Sequence, residues 1–205
     1  MASHESLRRG HRQHGFSLVE LITVTGVIVI LSSIVLANNN KFGGAIQLRN
    51  LAYDLALTIR EAQTYGISVR KFGSGVGQFG GGYGMYFDIA SPYEYTMYAD
   101  VVLPLNGLYD PGELVDSPFG IGGGYKIYDL CVTPPNAGAA EECSQPKLHT
   151  FFIRPEPDAY VRVEGATPVY QRGRVILESP RGDRIAVLVE ATGQISVQPY
   201  GYEPQ

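Results

Sequence analysis

Residues 16–37 read FSLVELITVTGVIVILSSIVLA, and in this stretch only Glu20 carries a charge. As a helix it would span roughly 33 Å, close to the thickness of a bilayer's hydrocarbon layer. Arg8, Arg9 and Arg12 lie just before it, and the acidic bulk of the chain follows. The positive-inside bias then places the N-terminus in the cytoplasm and everything after Ala37 outside, with a single pass through the cytoplasmic membrane. Glu20 is the anomaly. A carboxylate in such a segment costs about 2 to 3 kcal/mol on insertion scales, so a partner for it is expected. Two plainer readings stay open. In one, Val35-Leu36-Ala37 ends a secretory signal and the mature chain starts at Asn38. In the other, the segment is a simple anchor that tolerates Glu20 near the cytoplasmic interface.

Gly15-Phe16-Ser17-Leu18-Val19-Glu20-Leu21-Ile22, preceded by a basic leader, resembles the processing motif of type IV prepilins and type II secretion pseudopilins. The resemblance implies a cytoplasmic prepilin peptidase that cuts after Gly15 and N-methylates the new terminal Phe16. It also implies assembly with other pilin or pseudopilin subunits into a pilus or pseudopilus. The residues add a physical use for Glu20, because a carboxylate in an apolar helix bundle can be offset by the terminal amine of a neighbouring subunit. In one respect the chain departs from the family. Many members carry a proline in the second half of the span, and none occurs here between Phe16 and Asn40.

Beyond Asn40, apolar Ile46, Leu48, Leu51, Ala52, Leu55, Ile59 and Ala62 recur at helical spacing, predicting a one-sided amphipathic helix running to about Val69. Leu48–Ala52 and Leu57–Ala62 resemble the same region of H-type pseudopilins and FimT-like minor pilins, as does the C-terminal run from Arg184 to Val197. Six glycines between Gly73 and Gly82 end the helix. Gly75, Gly77 and Gly80 have the spacing of a dinucleotide fingerprint, but in the wrong order of elements for one.

Eight strands are expected: Tyr83–Ile89, Tyr95–Asp100, Tyr125–Val132, Leu148–Arg154, Tyr160–Glu164, Arg174–Glu178, Arg184–Glu190 and Gln194–Gln198. Alternation sets Val175, Leu177, Val187 and Val189 on one face, and Ala191-Thr192-Gly193-Gln194 signals a hairpin. The 25 glycines, 13 prolines and 14 tyrosines fit a β-rich body. The fold class is therefore α+β, a long N-terminal helix packed on an antiparallel sheet. Its parts are a leader (1–15), a membrane half of the helix (16–37), an amphipathic half (38–72), a glycine-rich loop (73–82) and an extracytoplasmic β-rich domain (83–205).

No enzymatic constellation is visible. Three of the four histidines precede Gly15, leaving His149, which reads as a surface or half-buried strand residue. Cys131 and Cys143 would close one disulfide outside the cytosol, with free thiols as the alternative. Without the leader the chain holds 13 basic against 19 acidic residues, which disfavours nucleic acid as a partner. Arg154, Arg162, Arg172, Arg174, Arg181 and Arg184 leave open a second role, a filament-displayed binding module for DNA or surfaces. Glu156, Asp158, Glu164, Glu178 and Asp183 interleave with them, as on a solvated sheet face. Arg181-Gly182-Asp183 is an adhesion-type tripeptide and also a good β-turn. Asn106, Gly107, Asp110 and Glu113 fall at offsets of a calcium loop, with Asp100 as a further oxygen donor, but Val102 and Pro104 hold two of its ligand positions. Ca2+ ligation and a plain turn-rich loop both remain as readings.

Overall fold

The computed structural model describes residues 15–68, 71–72, 81–102, 106–136, 138–166 and 169–201, with 37–43 as backbone only. The leader before Gly15, Val69 and Arg70, and positions 73–80 of the glycine-rich loop lie outside the described residues. The chain divides into two compact units, Met1–Phe42 and Gly43–Gln205. Helix α1, Leu18–Ile67, crosses that boundary.

In the second unit α1 buries one stripe. Leu48, Ala52, Leu55, Ala56, Ile59 and Ala62 are each at most 4% exposed, whereas Ile46, expected in the stripe, is exposed. Among the described residues nine strands follow: β1 (Tyr83–Asp88), β2 (Glu94–Ala99), β3 (Phe119–Gly120), β4 (Lys126–Thr133), β5 (Lys147–Phe152), β6 (Ala159–Arg162), β7 (Arg172–Glu178), β8 (Arg184–Glu190) and β9 (Ile195–Pro199). They form two antiparallel sheets rather than one, in the orders β3-β2-β1-β5-β6 and β4-β7-β8-β9. The β8–β9 hairpin turns at Gly193, whose φ of 81° favours glycine.

Helix and both sheets share one core. The α1 stripe packs with Met85, Phe87 and Leu148 of the first sheet and with Leu130, Val175, Leu177, Val187 and Val189 of the second. The alternation read from β7 and β8 is therefore correct for this face. It fails for the other face, where Ile176, Ala186 and Leu188 are also buried. Cys131, Ile176 and Ala186 form a second small cluster, with Arg174 nearly buried beside it. A loop covers that side of the sheet, so the residues opposite the core do not face water.

The first sheet is covered on its far side as well. Tyr86, Tyr98 and His149 project away from α1 and meet Tyr109, with ring centroids 5.0 Å apart for Tyr86–Tyr109 and 5.8 Å for Tyr98–Tyr109. Gly84 makes room for this layer. A Cβ there would come within 2.5 Å of the Tyr98 ring and 2.6 Å of the Thr150 carbonyl. His149 is consequently 2% exposed, not the surface or half-buried residue expected from its strand position.

Candidate functional site

Two places gather the chemistry-bearing residues, the start of α1 and the connection after β2. At the first, Gly15, Phe16 and Ser17 precede the helix and are exposed. Ser17 is the N-cap. Its Oγ accepts a hydrogen bond from the Glu20 N–H at 3.1 Å, which places Glu20 at the third helical position. Ser-x-x-Glu is a capping-box pattern, and a carboxylate in the first turn also faces the positive end of the helix dipole. The bond to Ser17 uses the Glu20 backbone N–H, so the dipole is what favours a carboxylate at this position. Ser17, three residues before Glu20, is the sequence signal for this helix start. From Leu18 to Leu36 the helix has a mean hydropathy of 2.4 and none of it is buried, so it is long and apolar enough to cross a membrane.

At the second place the chain runs from the end of β2 back to its edge. Ala99 N–H donates to the Glu113 carbonyl and Val115 N–H to the Met97 carbonyl, closing a loop over the aromatic layer. Asp100, Asn106, Asp110 and Glu113 do converge there. Glu113 is fully buried, and Asp100 is 1% exposed. Their oxygens, however, mostly receive N–H donors. Glu113 Oε1 accepts from Val101 and Val102, each at 3.0 Å, and Oε2 accepts from Asp110 N–H at 2.8 Å. Asp100 Oδ2 accepts from Gly107 N–H at 2.6 Å. Asn106 donates to Asp110 Oδ2 and accepts from Leu108 N–H. A calcium cage needs six to eight oxygens directed at one point. Here the side-chain oxygens of these four residues receive N–H groups of their own loop.

Two buried carboxyl groups lie together in this arrangement. Burial first, and the neighbouring Glu113 charge after it, push the Asp100 carboxyl up to about 6, against the lowering effect of the Gly107 N–H. Tyr98, whose hydroxyl donates to the Gly107 carbonyl at 2.8 Å, is held well above the usual phenol range by burial and then by Asp100 and Glu113. His149 Nδ1 accepts from Tyr109 N–H, and burial lowers the imidazole to about 4. These groups hold the loop; their arrangement has no nucleophile paired with a base.

Elsewhere, Cys131 and Cys143 are joined by a disulfide. Asp129 lies near both sulfurs, but a disulfide offers no thiolate to a metal. Arg181-Gly182-Asp183 is the β7–β8 turn, with Ser179 Oγ accepting from the Arg181 and Asp183 N–H groups. The arginines of the sheet are largely in ion pairs: Arg172 with Glu190, Arg174 with Glu141, and Arg184 with Glu178, at 2.7 to 3.3 Å. Paired cations of this kind leave little for a phosphate backbone. Comparison with protein-family models, with curated proteins and with solved structures found no match.

Proposed function

We propose that this chain is a membrane-anchored structural subunit, a minor pilin or pseudopilin, of a type IV pilus-like or type II secretion filament. Its function lies in assembly, and it is not an enzyme. A prepilin peptidase removes the leader after Gly15 and methylates Phe16, while Gly43–Gln205 folds outside the cytoplasmic membrane. One observation carries the reading. The Gly15-Phe16 junction is exposed, non-helical backbone, and it is followed directly by an N-capped apolar helix with Glu20 in its first turn. A protease needs accessible, non-helical chain at the bond it cuts, and Gly15 and Phe16 are exposed and precede the helix.

The place of Glu20 in the first helical turn makes its test sharper. Glutamine at the third helical position serves a capping box as glutamate does, yet carries no charge. Glu20→Gln therefore keeps the helix start and removes the pairing charge. We expect the variant to insert, and mass spectrometry after co-expression with a prepilin peptidase to show a chain beginning at N-methylated Phe16, but incorporation into filaments to fall sharply. Normal incorporation would remove the proposed pairing role of Glu20. A mature chain starting at Asn38 would replace the whole reading with a secretory signal.

A further inference from the structure

The Cys131–Cys143 disulfide sits between two carboxylates. Val132 and Glu142 pair as an antiparallel bridge, which sets Cys131 and Cys143 side by side on one face of the pair. Alternation puts Asp129, two residues before Cys131, and Glu141, two residues before Cys143, on that same face. An oxygen of Asp129 and the two sulfurs all lie within 4.8 Å of one another. On the other side, Glu141 Oε2 is 3.9 Å from Cys143 Sγ.

Nothing in a disulfide calls for a carboxylate, because the bond carries no charge. Both acids are nevertheless held in place. Leu130 N–H at 2.8 Å and Ser144 N–H at 2.9 Å donate to the same oxygen of Asp129, Oδ1. Those bonds fix the carboxylate and leave Oδ2 for a further partner. Glu141 is oriented by Arg174, whose Nε lies 3.0 Å from Oε1, and the other carboxylate oxygen is the one near Cys143. Cys131 is fully buried in β4, whereas Cys143 is exposed, so the four residues have a fixed floor and an open mouth.

Reduction changes what these groups can do. A phosphine or a dithiol supplies two electrons, the S–S bond breaks, and each sulfur takes up a proton. A dication that favours sulfur then displaces both protons and leaves two thiolates beside the two carboxylates, a donor set that suits tetrahedral zinc. Charge favours the exchange, since two thiolates and two carboxylates outweigh a dication and the Arg174 guanidinium. We propose that the reduced chain binds one Zn2+ ion through Cys131, Cys143, Asp129 and Glu141. The metal then replaces the disulfide as the tie of the loop over the second sheet. This site belongs to the folded domain and holds whether or not the chain enters a filament.

The test uses the full chain in detergent under nitrogen, reduced with a water-soluble phosphine and titrated with Co2+ and then Zn2+. Absorbance should show tetrahedral Co2+ with a sulfur-to-metal charge-transfer band that saturates at one ion per chain, and Zn2+ should bleach it. Zinc should also raise the melting temperature that reduction lowers. Asp129→Asn and Glu141→Gln keep the oxygens that accept from Ser144 and Arg174, so each should melt as the parent does when oxidised. When reduced, each should bind Co2+ about tenfold more weakly. Neither the oxidised parent nor a chain with alanine at both cysteine positions should give the band. The proposal is overturned if the reduced parent gives no charge-transfer band, if one ion is shared by two chains, or if both carboxyl variants bind as tightly as the parent. It is equally overturned if zinc leaves the melting temperature of the reduced chain unchanged.

Discussion

Two loops cover the outer faces of the two sheets, and they are fastened by opposite means. The loop over the second sheet is tied by the Cys131–Cys143 disulfide and by Glu141 on Arg174. The loop over the first sheet has no covalent tie among the described residues. It is held by backbone N–H groups that converge on two buried carboxyl groups. The disulfide acts mainly by restricting the unfolded chain, so it does not depend on what surrounds it. The carboxyl network acts in the folded state, where each donor and acceptor must find its counterpart. One fastening should answer to reductant, the other to proton balance.

The largest effect is expected at Glu113. Glu113→Ala leaves three N–H groups without their acceptor, and urea denaturation should show a loss of about 4 kcal/mol. A loss below about 1 kcal/mol would mean that the network does not hold the loop. Replacing Cys131 and Cys143 by alanine should cost about 3 kcal/mol for a loop with a sequence separation of 12. Dithiothreitol should reproduce that shift in the parent chain and do nothing to the variant.

The pH response separates the two loops further. Asp100 is raised to about 6, so the folded state binds its proton more readily than the unfolded chain. Its contribution is full below about pH 4 and is lost as pH rises to about 6. His149 is lowered to about 4, so the unfolded chain binds that proton first, and its contribution grows from about pH 4 to 6.5. The two slopes oppose each other, and the parent chain should vary little over this window. Asp100→Asn should expose the histidine slope and raise stability at pH 7 by about 2 kcal/mol, while His149→Gln should leave a falling curve. Neither curve should change when the disulfide is removed. The smallest effect concerns calcium: with the carboxylate oxygens directed at N–H donors, melting in millimolar calcium and in chelator should coincide. An upward shift abolished by Asp110→Ala would place a cation in the loop.

Much of the β body was legible because its period is local. Seven of the eight expected strands shift by only one or two residues at an end, and Arg184–Glu190 is unchanged. The two-residue β3 has no pattern to read. Division into two sheets was not legible either, since it depends on which strands pair across long connections. Alternation assigns Ile176 and Leu188 to the face opposite Val175 and Val187, and it cannot register a loop that covers that face. The calcium-like spacing from Asn106 to Glu113 was real as spacing. What it could not convey is the direction of the oxygens, which the N–H groups of Val101, Val102, Gly107 and Asp110 decide. Likewise, the apolar run marks Glu20 as an intruder, while Ser17 three residues earlier marks the start of the helix and so puts Glu20 in its first turn.

The cap at Ser17 also fixes where the positive pole of α1 begins, just after Phe16. Aligned peptide dipoles concentrate about half an elementary charge there. If the leader is cut after Gly15, a new ammonium group appears almost on top of that pole, and methylation leaves its charge in place. The freed end becomes a small positive tip, with like charges opposed by about 0.3 to 1 kcal/mol and the chain's own Glu20 carboxylate in the turn behind it. A first-turn carboxylate on another chain is the natural counterpart of such a tip. Proteolysis would then do more than shorten the chain: it would change the rod's end from inert to adhesive, making the moment of cutting the moment at which the subunit becomes able to join others.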